Sequence, residues 1–297
     1  DGEEGSYLAL VNTYDVIVLD LNLPGKDGLE ILQEIRDRSK TQRVIILSAR
    51  SSVPNKILGL DMGANDYLAK LCSLGNIEEF YTVRTEYQTS GKGQRGNSWE
   101  SEPGKNLLFS FVFYPTALEA KSQFNLSMLV ATGLVDALSG YTDGFSIKWP
   151  NDIYWKDQKI GGILIENELE GKYITQSIIG IGLNVNQEVF YSDAPNPVSL
   201  KQILGVEVDL QELLKKVLHC ITGGYRMLEG DFDINQPILS VMYRKYLYRK
   251  EGLFPYRDAQ GEFLAEYHEV EPDGHLVLKD EQGTLRRYAF KEVSFVL

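Results

Sequence analysis

Ile147-Lys-Trp-Pro-Asn-Asp-Ile-Tyr154 is followed, four residues later, by Lys159-Ile-Gly-Gly-Ile-Leu-Ile-Glu166. Isoleucines at 147, 153, 160, 163 and 165 make both stretches read as adjacent, largely buried strands. Lys148, Asp152 and Lys159 then stand near strand ends. Two ammonium groups around a carboxylate can hold a nucleotide's phosphates and a metal ion, and need no nucleophile. The plain alternative is a solvated ion pair of little worth. Apolar Trp149 and Pro150 beside it argue against full solvation. Gly161 and Gly162 either let a flat ligand approach the backbone or mark close strand packing or a bulge.

Upstream lies Gln88-Thr-Ser-Gly-Lys-Gly-Gln-Arg-Gly-Asn-Ser-Trp99, a polar, glycine-rich stretch. Its Gly91-Lys-Gly-Gln-Arg-Gly96 matches the spacing of a dinucleotide fingerprint, but such a loop must open a helix, and residues 97–104 read as loop. A loop carrying Lys92 and Arg95 suits closure over an acyl phosphate; a solvated basic turn is its bland reading. Downstream, Ile179-Gly-Ile-Gly-Leu-Asn-Val-Asn186 is an apolar strand ending in Asn184, whose amide suits adenine or simply a turn.

The remaining chain divides by texture. Over residues 1–70, Val16-Ile-Val-Leu19 and Val44-Ile-Ile-Leu47 read as buried parallel strands. Residues 28–35 and 53–62 read as helices, the latter interrupted early by Pro54. From residue 80, strands are predicted at 81–87, 107–114, 146–149, 160–166 and 174–184, with helices at about 117–139 and 209–228. From 246, Asp258-Ala-Gln-Gly261, Glu271-Pro-Asp-Gly274 and Asp280-Glu-Gln-Gly283 punctuate short strands of a small all-β barrel.

Composition sets bounds. The 297 residues suffice for two or more cores. A net charge of -12 makes a nucleic-acid surface an unexpected default. Cys72 and Cys220, without metal-ligand spacing or a disulfide framework, suit a reducing compartment. No apolar run is long enough to span a bilayer, and no signal peptide is read at the start, where Asp rather than Met suggests a fragment or a processed chain.

Asp15-Val-Ile-Val-Leu-Asp-Leu-Asn-Leu-Pro-Gly-Lys-Asp-Gly28, Ser48 and Gly63-Ala-Asn-Asp-Tyr-Leu-Ala-Lys70 resemble the later part of response-regulator receiver domains, an α/β flavodoxin-like fold. The resemblance implies Asp20 as phosphoacceptor, Ser48 as switch hydroxyl and Lys70 as phosphate-binding lysine. The family's metal-holding acidic pair, which follows its first strand, is not among these residues. Phosphotransfer at Asp20 is therefore not expected, since that chemistry leans on the metal.

Residues from about 65 to 297 resemble biotin protein ligase, also called biotin–[acetyl-CoA-carboxylase] ligase. Gly91–Trp99, Lys148–Asp152, Lys159–Glu166 and Ile179–Asn186 occur in that family's order and spacing. The ending Phe290-Lys-Glu-Val-Ser-Phe-Val296 is similar to its C-terminal barrel. The implied fold is an α+β catalytic domain, a mixed sheet with helices, over 65–245. An SH3-like β-barrel follows over 246–297, and a truncated receiver-like segment precedes over 1–64. The resemblance implies a biotin pocket lined by Gln88, Gly91, Lys92, Gly162 and Gly180. Arg95, Trp99, Asn151 and Asn184 would serve the nucleotide. Lys148, Lys159 and Asp152 would be catalytic, with Asp152 holding Mg²⁺.

The implied reaction uses ATP and Mg²⁺ to convert biotin to biotinyl-adenylate, then transfers biotin to a lysine of a biotin carboxyl carrier protein domain. A homodimer fits the family; nucleic-acid and membrane partners are not expected, and no helix-turn-helix is read. The setting is cytoplasmic. Lipoylation, a receiver-controlled ligase-like binding module and an inactive chimera are the alternatives. At the junction, Gly63-Ala64-Asn65 stands where the ligase family has Ser-Thr-Asn. Asn65-Asp-Tyr-Leu-Ala-Lys70 suits either the last receiver strand or the first ligase helix.

Overall fold

A computed structural model describes residues 1–12, 14, 17–20, 23–26, 28–38, 44–47, 55–57, 68, 69, 72, 77–85, 91, 92, 98–191, 196–227 and 232–296. The chain forms two compact units. One comprises Asp1–Val112 with Ile178–Gly182, the other Phe113–Ser177 with Leu183–Leu297.

In the first unit, Asp1 caps helix α1 (Gly2–Val11), accepting the Glu4 N–H at 2.9 Å. Glu3 and Glu4 suit the positive end of that helix. Strand β1 (Ile17–Asp20) runs parallel to β2 (Val44–Leu47) in the register Ile17↔Val44 to Asp20↔Leu47. Helix α2 (Gly28–Arg38) lays Ile31 and Ile35, one turn apart, against Leu19. Ala9, Ile17 and Leu23 pack around that small core. Lys26 Nζ and Ser6 Oγ both donate to Glu34, at 2.6 and 2.5 Å. These are the predicted strands and helix, each within a few residues.

The helix predicted over 53–62 is corrected: Asn55–Ile57 is strand β3, parallel to β4 (Thr82–Thr85), with Asn55↔Val83 and Ile57↔Thr85. Pro54 weakens the local helical pattern, and pairing with β4 supplies the backbone partners instead. Residues 58–62 lie outside the described ones. Strand β5 (Gly91–Lys92) pairs antiparallel with β6 (Ser98–Trp99), so the described ends of the glycine-rich stretch form a two-stranded ribbon. Strand β7 (Leu107–Phe113), buried along all of its length, pairs antiparallel with β4. In the segment that suits two families, Leu68, Ala69 and Cys72 have helical backbone and Leu68 is fully buried.

The second unit holds β8 (Phe145–Lys148), β9 (Asp152–Trp155) and β10 (Gln158–Glu170), joined by tight antiparallel connections. The chain continues into β11 (Tyr173–Leu183), whose Ile178–Gly182 part belongs to the first unit. Helix α3 (Phe124–Ser139) is buried on nearly every face. It begins later than predicted because Ala120–Ser122 forms a 3₁₀ turn. Two further helices were not predicted, α4 (Leu200–Leu204), started by a Ser199/Gln202 capping box, and α6 (Phe232–Tyr246). Between them α5 (Leu210–Met227) buries Leu213, Leu214, Val217 and Ile221 along one stripe.

The C-terminal strands are β12 (Phe254–Asp258), β13 (Gly261–Val270), β14 (Leu276–Asp280), β15 (Leu285–Tyr288) and β16 (Ser294–Phe295). They form one antiparallel sheet in the order β15-β14-β13-β12-β16. The predicted turns fall between strands. Among the described residues no β15–β16 ladder closes this sheet into a barrel.

Helices α3 and α5 meet at Gly133. A Cβ there would stand 2.9 Å from Ile221 Cγ1 and 3.0 Å from that residue's backbone N and Cα. Alanine would improve helix propensity by about 1 kcal/mol. Backbone cannot retreat as a side chain does, so overpacking of about 1–3 kcal/mol outweighs that gain. Gly133→Ala is therefore expected to lower unfolding stability, checked by denaturant titration; an unchanged or higher midpoint contradicts the close crossing.

Candidate active site

The site is built by the register of three strands. Lys148 closes β8 opposite Asp152, which opens β9, and Asp152 on its other side faces Gly162 of β10. The turn between β8 and β9 contains a cis Trp149–Pro150 bond. Asn151 ties it to β10: its amide donates to the Ile163 carbonyl at 2.6 Å, and Ile163 N–H donates to the Asn151 carbonyl at 2.9 Å.

The β9–β10 register slips between Lys159 and Gly161, so Ile160 is the extra residue of a bulge. Ile160 is fully buried and its carbonyl accepts the Asn184 N–H at 2.8 Å. Lys159 is gripped along its backbone, donating to Asn196 O and accepting from Val198 N, both at 2.9 Å. Its Nζ reaches Asp152 Oδ1 at 2.6 Å, with both side chains about a quarter exposed (25%).

Lys148 sits differently. Its ammonium donates to Tyr154 Oη at 2.9 Å and lies 4.6 Å from the Tyr154 ring centroid and 5.2 Å from that of Phe295. Burial pulls its pKa below the usual lysine value; Asp152 opposes that shift, while Lys159 and Arg249 add to it. Tyr154 is 1% exposed, and burial, with Asp152 next, drives its phenol above the ordinary range. Trp149 points the other way: its indole N–H donates to Gly274 O at 3.0 Å and its ring meets Phe290 edge-on.

Lys148, Asp152 and Lys159, predicted together, thus converge on one hairpin. Asn151 and Asn184 belong to the same framework, with amide donors engaged by backbone. Asn184 Nδ2 donates to Val198 O at 3.2 Å and is 4% exposed. Gly162 borders the bulge, the reading its sequence had left open. In the first unit, Trp99 lies flat against Gly182, where a Cβ would come within 2.8 Å of the indole. Gly180 lies in β11, Gly91 and Lys92 form β5, and Asp20 ends β1. Gln88, Arg95, Ser48 and Lys70 lie outside the described residues.

Sequence reading missed Tyr154 and Phe295. Tyr154 carried a signal, an aromatic two residues beyond Asp152 and so on the same strand face. Phe295 carried none, because nothing local ties residue 295 to residue 148.

The donor set can be tested for a metal. Among the described residues, the only cluster of three acidic or histidine ligands is Glu271, Asp273 and His275, in the β13–β14 turn. Arg287 donates there to both Glu271 and Asp273, at 2.5 and 2.7 Å. At the hairpin Asp152 offers one carboxylate. That fits Mg²⁺, which keeps waters and takes few protein ligands when it arrives with phosphates.

The sequence pattern of the biotin/lipoate A/B protein ligase family matches residues 64–184, and that of the response regulator receiver domain matches residues 1–81. The two matches overlap over 64–81, where the predicted junction lies. The bifunctional ligase/repressor BirA of Bacillus subtilis (strain 168) is 30% identical over 224 residues, covering 72% of this chain and 66% of that protein, just under two thirds of it. The transcriptional regulatory protein HprR of Escherichia coli (strain K12) is 51% identical over 77 residues, 26% of this chain and 34% of that protein. Among solved structures, a biotin protein ligase from Aquifex aeolicus in complex with biotin and ATP superposes with a TM-score of 0.62 at 23% identity, covering 81% of this chain and 97% of that one. That likeness is one of fold. No described helix is long and apolar enough to cross a membrane.

Asn151→Ala should lower unfolding stability by about 1–2 kcal/mol, because the Ile163 carbonyl loses its amide partner. Chemical denaturation checks this. A variant as stable as the parent would free the amide for a purely nucleotide-binding duty.

Proposed function

We propose that the chain is an ATP-dependent biotin protein ligase, a reading supported by the match of residues 64–184 to the biotin/lipoate A/B protein ligase pattern. The observation that carries this is the Lys148–Asp152–Lys159 hairpin, which offers positive charge and one carboxylate without a nucleophile. The biotin carboxylate attacks the α-phosphate of ATP, forming a C–O–P linkage as pyrophosphate leaves. The amine of a carrier-domain lysine then attacks the acyl carbon, and AMP leaves.

In this reading Lys148 and Lys159 neutralise charge gathering on the phosphates. Magnesium, held by Asp152, would supply further neutralisation of the polyphosphate. The resemblance assigns Trp99, Asn151, Asn184 and Arg95 to the nucleotide, and Gln88, Gly91, Lys92, Gly162 and Gly180 to biotin. The C-terminal sheet takes the place of the SH3-like barrel. The carrier is a biotin carboxyl carrier domain, and the setting is cytoplasmic.

Lys159→Ala is expected to cost adenylate formation about 1.5–3 kcal/mol, the value of a charge-assisted contact. Biotin-dependent ATP–pyrophosphate exchange measures it, and an unchanged rate would make Lys159 structural only. Asp152→Asn should raise the Mg²⁺ concentration needed for half-maximal exchange; an unaltered titration would remove Asp152 from the metal.

Gly63 and Ala64 lack the hydroxyls of the family's Ser-Thr-Asn pattern, so biotin should bind weakly. Installing them with Gly63→Ser and Ala64→Thr should lower the KM for biotin about tenfold, as expected for one to two recovered hydrogen bonds. A KM that does not fall would mean that the junction closes the pocket by other means.

A further inference from the structure

The chemistry assigned to Lys148 requires its ammonium to stay in place while keeping donors free for oxygen ligands. An ammonium has three donors, and Tyr154 Oη takes one of them at 2.9 Å. A π-face attracts the charge without fixing a hydrogen-bond direction. Lys148 has two such faces nearby: Tyr154 from its own hairpin, and Phe295 from the C-terminal sheet.

Phe295 is itself held from several sides. Strand β16 pairs with β12 through Tyr256↔Phe295 and Arg257↔Ser294. The next residue, Val296, donates its N–H to Pro255 O at 3.1 Å and accepts from Arg249 Nη2 at 3.0 Å. The Phe295 ring lies 5.0 Å from the Tyr256 ring and 6.1 Å from that of Tyr248, and Tyr248 in turn meets Tyr154 at 5.4 Å. Arg249 therefore staples β16 down just after helix α6, and a continuous set of rings leads from the C-terminal sheet to Lys148. Among the described residues, the charged groups acting on this ammonium are Asp152 and Lys159 from the strands around it and Arg249 from the staple.

Resting on the ligase reading, we propose that Phe295 is a positioning residue for Lys148, so that the C-terminal sheet completes the phosphate-facing end of the active site. Phe295 touches no substrate in this scheme. It acts by offering a second π-face beside that of Tyr154, which confines the ammonium and leaves two donors for oxygen.

Two variants of the full chain test this. Phe295→Leu keeps an apolar plug but removes the π-face; Phe295→Tyr keeps the π-face. Two readouts are compared: acetylation of Lys148 by acetic anhydride, read by peptide mass spectrometry against half-exposed Lys279 as the reference, and biotin-dependent pyrophosphate exchange. Loss of one cation–π contact predicts that Phe295→Leu acetylates Lys148 about threefold faster relative to Lys279 and lowers kcat about fivefold, with the KM for biotin within about twofold. Phe295→Tyr should return both to the parent values. Unchanged Lys148 labelling in Phe295→Leu, or failure of Phe295→Tyr to restore it, overturns the proposal, as does an unchanged kcat in an active parent. If the parent shows no exchange, the ligase reading fails by itself, and the labelling decides the placement of Lys148: faster in Leu and restored in Tyr supports it, no change refutes it.

Discussion

Asp152 stands between Lys148 and Gly162 in the strand register, and the rest of the site depends on that placement. The Lys159–Asp152 ion pair is not what creates it. A pair about a quarter exposed on each side is worth about 1 kcal/mol or less. The backbone does the holding: the β8–β9–β10 ladders, the two-way Asn151–Ile163 link, and the clamp of residues 196–198 on Lys159. The bulge at Ile160 adds the last element, since it brings Lys159 to the carboxylate opposite Lys148. Charge is thus delivered by a scaffold whose stability does not come from that charge. Substitutions such as Lys159→Ala can then probe chemistry with little effect on folding.

How much of this was legible in the sequence follows from the range of the interactions. The strand at 107–113 was legible because a strand buried on both faces must be apolar along its length, and the runs at 16–19 and 44–47 carry the same apolar pattern. Lys148, Asp152 and Lys159 were legible because three polar groups inside apolar strands need a reason to be there. The strand at 55–57 was not, since its partner β4 lies 28 residues away, as Asn55↔Val83 shows, and local pattern favoured a helix. Helix α6 was missed as well; it packs through Tyr243 on Phe124 of α3 and through Tyr246 on Asp136, contacts no local period encodes. The Phe295–Lys148 contact is the extreme case, because only the folded C-terminal sheet makes those residues neighbours.

The stretch shared by the two family patterns, residues 64–81, cannot serve both. A receiver needs a strand near residue 65, and a ligase needs a helix. Leu68, Ala69 and Cys72 are helical, with Leu68 fully buried. Among the described residues, β1 and β2 form a sheet of two strands, with a core of Leu19, Ile31 and Ile35. A parallel sheet normally needs both faces covered over several strands. The receiver-like portion keeps the local grammar of its family, with strand, turn and helix in the right order, while its described core is small. Helix α3 of the ligase portion alone buries Leu126, Met128, Leu134, Val135 and Leu138 almost completely.

The C-terminal sheet has a part in this that its sequence did not announce. Trp149 and Lys148 are adjacent in the chain, and both engage that sheet by different means. Trp149 donates to Gly274 in the β13–β14 turn, while Lys148 faces the Phe295 ring in β16. Two neighbouring residues pinned at two places set a direction as well as a position, because a single contact would still allow the turn to pivot. The Glu271, Asp273 and His275 cluster fits the same pattern. With Arg287 bridging its two carboxylates, it stiffens the turn that offers Gly274 to Trp149, and this explains the cluster without a bound ion. The small sheet therefore holds both ends of the Lys148–Trp149 step, through one indole hydrogen bond and aromatic packing.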